Sequence, residues 1–292
     1  MTLEALFYIL VSAAVLGSLY AIMAIGLALV WTTLGIFNFA HGAFIGLGAY
    51  LAWSLADPSQ LGLGLLAGIA LALPILVLVG IASERVAVRP FLGRDNLVLV
   101  TVITTLAVAS IIENAILLTW GSRAKQLEPL VEGTVSAWGI GVSAHEVAVI
   151  LIVPFILAAV WAFLQKTRTG TALRAVAQNQ NAARLMSIPV TRIFALSFAL
   201  ATVLAGLAGI FLGAVKFMSP SMGADPLVKA LIVVIFGGIG SLSGPIRAAY
   251  IVGLMEAVLT FSVGIYWTQA SLFLVMIAVL MVRPTGLFGK RG

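Results

Sequence analysis

Apolar residues run along this chain in long stretches separated by short polar breaks. Nine stretches stand out, at about 6–34, 36–56, 61–82, 97–119, 146–164, 193–215, 227–239, 244–263 and 271–282. A helix needs about 20 mostly apolar residues to cross the hydrocarbon core of a bilayer. The pattern therefore predicts an all-α, polytopic membrane protein. The seventh and ninth stretches are short for a full crossing. One or two of the nine are expected to be half-helices or re-entrant segments, giving about 8–9 spans. The first stretch is too long for a signal-peptide core and follows Glu4 rather than a basic run, so it is expected to be retained as a span.

The polar breaks orient the spans. Strong breaks fall at 83–95, 120–145 and 165–192. The first holds Arg85, Arg89 and Arg94; the third holds Lys166, Arg168, Arg174, Arg184 and Arg192; the tail holds Arg283, Lys290 and Arg291. Loops rich in Lys and Arg stay in the cytoplasm. Two spans separate the first break from the third, and four more lead to the tail, so all three basic regions fall inside, with Arg247. The N-terminus is then expected outside and the C-terminus inside. The break at 120–145 is the one long external loop, of mixed charge, and suits a short hairpin or a docking surface.

Composition narrows the class. Hydrophobic residues make up 62% of the 292 and charged residues 9%, where a soluble domain carries about a quarter charged. An ordinary cytosolic enzyme, a nucleic-acid binder and a disordered chain are excluded. The net charge of +6 reads as topological signalling with attraction to anionic lipid. With no cysteine there is no disulfide framework, thiol nucleophile or cysteine metal site. His41 and His145 stand too far apart in sequence to suggest zinc. There is no phosphate-binding Gly-x-x-x-x-Gly-Lys loop, and no paired-carboxylate or nucleophile-and-base arrangement, so the chain is not expected to be an enzyme or to carry a cofactor.

Ionisable groups inside spans are costly and point to function by default. Glu113 and Glu256 sit mid-span, either in a pathway or gate or as carboxyls hydrogen-bonded to a neighbouring helix. Neither lies in a run resembling a proton relay, and the spans show no strong charge pair for a zwitterion. Lys229 near the start of a span is read as snorkelling to the interface. Asn38 and His41 either line a cavity or cap and pack the second helix. Glycines spaced by four (Gly42/Gly46, Gly64/Gly68, Gly209/Gly213, Gly240/Gly244) suit close helix packing. Gly237, Gly238 and Gly240, next to Ser241, would break a helix at membrane depth, where exposed backbone needs protein or water around it. The stretches 39–50 and 241–250 are faintly alike, each a polar break, a glycine and a helix start, as in transporters built from related halves. Residues 169–186 read as one amphipathic helix whose small-residue face (Ala172, Ala175, Val176, Asn179, Ala182, Ala183) suits a groove on another protein or, alternatively, a bilayer surface.

These residues carry a family resemblance. Thr-Gly-Thr-Ala-Leu-Arg-Ala-Val-Ala-Gln-Asn at 169–179, Ala-Ala-Arg-Leu-Met-Ser-Ile at 182–188, Asn-Phe-Ala-His-Gly at 38–42 and the run from Lys229 to Gly244 followed by Gly-Leu-Met-Glu at 253–256 together resemble the permease family of branched-chain amino-acid ABC transporters. The resemblance implies one transmembrane permease domain over 1–292, in the inner membrane. It implies a second permease subunit, identical or different, two cytoplasmic ATPase subunits that hydrolyse the ATP, and an extracytoplasmic substrate-binding protein. It makes the loop at about 165–192 a coupling helix, with Arg174, Ala175, Gln178, Asn179, Ala182 and Arg184 meeting the ATPase. It leaves Asn38, His41, Glu113, Gly238, Gly240, Ser241 and Glu256 as candidates for the path or gate. Branched-chain amino acids are the expected solutes, with urea or short amides, or an ATP-independent secondary transporter, as alternatives. Two positions depart from the family: Ser187 stands where glycine is usual, and Glu113 where many relatives have glutamine.

Overall fold

The computed structural model describes residues 3–137, 140–238, 240–283 and 285–289. Ile239, Lys290 and Arg291, used above to place a span and the basic tail, lie outside the described residues. Among those described, the chain forms eleven α-helices and one hairpin, with a short π-helical and 3-10 continuation of α3 over Glu84–Val88 and Arg89–Phe91: α1 (Leu3–Leu34), α2 (His41–Ala56), α3 (Leu65–Ser83), α4 (Leu97–Trp120), β1 (Thr134–Ala137), β2 (Ile140–Ser143), α5 (Ala144–Lys166), α6 (Arg168–Gln178), α7 (Gln180–Leu185), α8 (Val190–Val215), α9 (Ala224–Gly237), α10 (Gly244–Val263) and α11 (Ile265–Val282). Seven are long and apolar enough to cross a membrane: α1, α3, α4, α5, α8, α10 and α11. The hairpin expected in the long loop forms with β1 and β2 antiparallel.

The chain is a multi-pass helical membrane protein; one of its two half-helices is the seventh stretch, as its short length suggests, and the other is the second stretch rather than the ninth. The ninth stretch starts at Ile265, not at 271, and its 18 residues are a full crossing. Thr268 is accommodated because its hydroxyl donates to the Gly264 carbonyl at 2.9 Å, within its own helix. The second stretch is the one cut short. α1 ends at Gly35, whose φ of +73° suits a glycine after a helix C-terminus. Non-helical backbone follows to residue 40, and α2 has only 16 residues, about 24 Å at 1.5 Å per residue. α9, with 14, is about 21 Å. Neither matches a hydrocarbon core of about 30 Å.

The two half-helices meet by their N-termini. A Cβ on Gly42 would lie 2.7 Å from the Gly223 carbonyl oxygen, so only glycine lets these backbones touch. From that junction α2 runs towards the hairpin end of the molecule, where Lys125 Nζ sits 5.1 Å over the Trp53 ring. α9 runs the opposite way, towards α6 and the C-terminal tail, where the Leu287 N–H donates to the Phe236 carbonyl at 2.8 Å. The likeness between 39–50 and 241–250 therefore does not mark the two half-helices: the second break opens the full-length α10.

α1 is the centre of the bundle, and every residue from Gly17 to Val30 is buried. It packs along α10, α8, α9 and α5. Its N-terminal part reaches the hairpin, with Tyr8 donating to the Gly141 carbonyl at 3.5 Å. Its C-terminal end meets α7, where Gln180 Nε2 donates to the Thr33 carbonyl at 2.8 Å. The loop 84–96, the segment 165–192, the 240–247 turn and the C-terminal tail lie at that same end, so the described basic clusters share one face, as the charge pattern requires.

Candidate functional site

Three places gather the polar groups of the bundle. The first joins α1, α9 and α10. Lys229 Nζ lies 2.7 Å from Glu256 Oε1 and 3.4 Å from Asp225 Oδ2. Tyr20 donates its hydroxyl to Glu256 Oε2 at 2.5 Å, and the ammonium also lies 5.7 Å from the Tyr20 ring centre. Lys229 does not snorkel: its side chain is 16% exposed and that of Glu256 10%. A buried ion pair survives desolvation only with good geometry and further hydrogen bonds, and Tyr20 supplies one. The spans thus do hold a charge pair, which sequence reasoning missed because its members are 27 residues apart on different helices. The i, i+4 spacing of Asp225 and Lys229 was the available signal.

The second place is the half-helix junction. Asn38 Oδ1 accepts from the Ala40 N–H at 3.1 Å, an Asx turn that leads the chain into α2. His41 Nε2 donates to the Met23 carbonyl at 3.1 Å and ties the start of α2 to α1. Both side chains are fully buried, and Asn38 Nδ2 and His41 Nδ1 have no hydrogen-bond partner among the described residues. The other histidine is fully used: His145 accepts from the Leu130 N–H at Nδ1 and donates from Nε2 to the Phe211 carbonyl, each at 3.1 Å, fastening the long loop to α8. Glu113 is not brought to either place. It is half-buried on α4, a helix largely exposed along its length.

The third place is the segment 167–190. It is not one helix. Asn179 leaves the helical region at φ −158°, ψ 107°, and its side chain accepts from the Ala182 N–H, so it caps α7. Thr167 caps α6 in the same way through the Gly170 N–H. Competing side-chain hydrogen bonds make Asn a good cap and a poor interior residue. The small-residue face turns partly inward: Val176 and Ala183 are buried with Leu173, while Ala172, Ala175 and Arg174 are half-buried. Gln178, Asn179, Ala182 and Arg184 are exposed. Two residues outside the expected set project furthest, Leu185 at 87% exposed and Met186 at 78%. Ser187 has φ +60°, the one non-glycine residue with positive φ among those described, which explains why glycine suits this position.

A cavity of about 270 Å³ links this segment to the glycine break. Arg174 and Gln178 face it from α6, Thr32 from α1, and Gly240 and Ser243 from the turn before α10. Gly238 and Gly240 have φ of +100° and +93°. Ser241 accepts from the Gly244 N–H at 3.0 Å and starts α10. Gly238 packs against Phe288 and Gly289 of the tail. Gly237 and Gly238 are buried, but Gly240 and Ser243 are exposed, so the break lies at the basic end of the bundle beside α6 and the tail rather than at membrane depth, where exposed backbone would need protein around it.

Comparison with known proteins identifies the family. A family model described as "Branched-chain amino acid transport system / permease component" matches residues 9–282. The chain is 29% identical to the high-affinity branched-chain amino acid transport system permease protein BraD of Pseudomonas aeruginosa, covering 96% of this chain and 95% of that one. It is 32% identical to LivH of Escherichia coli, a protein of the same description, covering 94% and 92%. It is 29% identical to the probable branched-chain amino acid transport permease protein LivH of Methanocaldococcus jannaschii, covering 96% and 92%. With almost its whole length matched, this chain belongs to the permease family of branched-chain amino acid transport systems.

Proposed function

We propose that this chain is a membrane subunit of an ATP-driven importer that carries leucine, isoleucine and valine across the inner membrane. It pairs with a second permease subunit, two cytoplasmic ATPase subunits drive it, and a binding protein delivers the solute from outside. The basic face, with α6 and α7, is cytoplasmic; the hairpin and the N-terminus are outside. The chain binds no cofactor of its own, and 1–292 acts as one transmembrane domain.

One observation carries the reading within the family. At the basic end, α7 presents Leu185 and Met186 almost fully to the outside of the subunit, next to exposed Arg184. Apolar side chains projected beyond a charged surface mark a contact with another protein. Behind this tip, Gln180 bonds to the end of α1, and Arg174 and Gln178 share a cavity with the turn before α10. A push on α7 is thus delivered to α1 and α10, two of the three helices that carry the buried charge cluster.

The test is uptake of labelled leucine by cells lacking this gene, other leucine carriers being disabled, with and without the gene restored. Restored uptake supports the proposal. Equal uptake in both, together with restored uptake of urea or a short amide, would overturn the solute.

A further inference from the structure

A cavity of about 200 Å³ opens among α1, α8, α9 and the start of α5. At about 30 Å³ per water it has room for six or seven waters, or a solute of similar atom count. Its deep wall is polar: Tyr20, Asp225 and Lys229. Its sides are aliphatic, including Leu16, Leu19 and Leu212. Glu146 and Lys216, from the hairpin ends of α5 and α8, stand at the other end.

The charge pair on the deep wall is not used up. Asp225 is 48% exposed, although it lies 3.4 Å from Lys229. An ammonium has three N–H donors; Glu256 takes one at 2.7 Å, and Asp225 stands at longer range. A carboxylate with free lone pairs therefore lies beside an ammonium with a spare donor, inside a low-polarity pocket. The ligand complementary to such a pair carries the opposite charges on adjacent positions, with an apolar group for the aliphatic walls. An α-amino acid has its ammonium and carboxylate on one carbon and its side chain on the same atom.

We infer that this cavity is a membrane-embedded receiving site for an aliphatic α-amino acid, with Asp225 binding the ammonium and Lys229 the carboxylate. Glu256 and Tyr20 hold Lys229 in place from behind. Along Glu256, Lys229, the solute carboxylate, the solute ammonium and Asp225 the charges alternate, so loading a zwitterion adds no net charge to the membrane interior. The inference rests on the import reading above and deepens it, since it locates where the solute passes.

The chain has no cysteine, so an introduced thiol is the one labelling site on this subunit, and labelling is read on this subunit after its separation from the others. Leu16→Cys and, in parallel, Ser12→Cys are made on its α1 wall in the assembled importer. Alkylation of that thiol by a small reagent is timed without solute, with leucine, with leucinamide, which lacks the carboxylate, and with 4-methylpentanoate, which lacks the ammonium. Leucine at about tenfold its Kd should slow labelling about tenfold, and neither analogue should protect. Adding Asp225→Asn should abolish protection by leucine, and Asp225→Glu should restore part of it. Equal protection by all three solutes, or none by leucine, overturns the site. Leucine uptake by the unmodified importer is measured in the same preparation. Uptake without protection overturns the cavity assignment and leaves the import reading standing. Protection without uptake does the reverse.

Discussion

Replacing Glu256 by leucine tests the buried charge cluster most sharply. The variant leaves the Lys229 ammonium inside the bundle without its 2.7 Å partner. Breaking a buried pair by removing one member costs about 3–5 kcal/mol. Asp225 remains 3.4 Å away and the lysine is partly exposed, so the low end, about 3 kcal/mol, is expected. At about 2 °C per kcal/mol for a chain of this size, Tm should fall by about 6 °C. Lys229→Met should cost about 2 kcal/mol, because Tyr20 still donates to the remaining carboxylate. The double variant removes both charges and strands only the Tyr20 hydroxyl, so it should also cost about 2 kcal/mol. The two single effects then exceed the double by about 3 kcal/mol, the coupling energy of the pair. Thermal unfolding of the purified assembly, followed by circular dichroism, measures all three. Single effects that simply add would mean that Lys229 reaches the interface instead, and would refute the buried cluster.

Further predictions follow from the other two places. Met186→Glu, on the exposed tip of α7, should leave the subunit inserted but reduce leucine uptake by about tenfold by weakening the ATPase contact by about 1.4 kcal/mol; unchanged uptake would remove α7 from that interface. Arg174→Glu with Ala175→Arg alters half-buried positions and should uncouple ATP hydrolysis from uptake while insertion is retained, read as ATPase activity and uptake in one membrane preparation. Ser187→Gly should keep full uptake, whereas Ser187→Val, β-branched at φ +60°, should destabilise by about 1–2 kcal/mol, seen as a lower Tm. Gly42→Leu drives a side chain into the Gly223 carbonyl and Leu227 Cβ and should abolish uptake; normal uptake would show that α2 and α9 separate freely.

The bundle was legible because lipid demands long apolar helices, and the eighth stretch coincides with α10 to the residue. The basic clusters were legible for a similar reason: charge belongs at helix ends, and the described ones share one face. Hydropathy could not show α2 stopping short, since Phe37, Phe39 and Ala40 are apolar whether or not their backbone is helical. The helix break at Asn179 is local, an asparagine that caps α7, which a periodicity count passes over; the inward turn of Ala183 depends on tertiary packing, which periodicity does not determine. Tyr20, Asp225 and Lys229 acquire their meaning only when α1, α9 and α10 are brought together. The two departures from the family pattern resolve differently: Ser187 occupies a backbone conformation that explains the usual glycine, and nothing in the structure explains Glu113.

On the import reading proposed above, solute crosses this subunit only when a partner hydrolyses ATP. The most direct test reconstitutes the complete importer in proteoliposomes, with leucine-loaded binding protein on the side of the hairpin and ATP on the side of α6 and α7. Leucine should accumulate with ATP and stop with a non-hydrolysable analogue. Equal leucine entry in both conditions would identify an ATP-independent carrier and overturn the ATP-driven import.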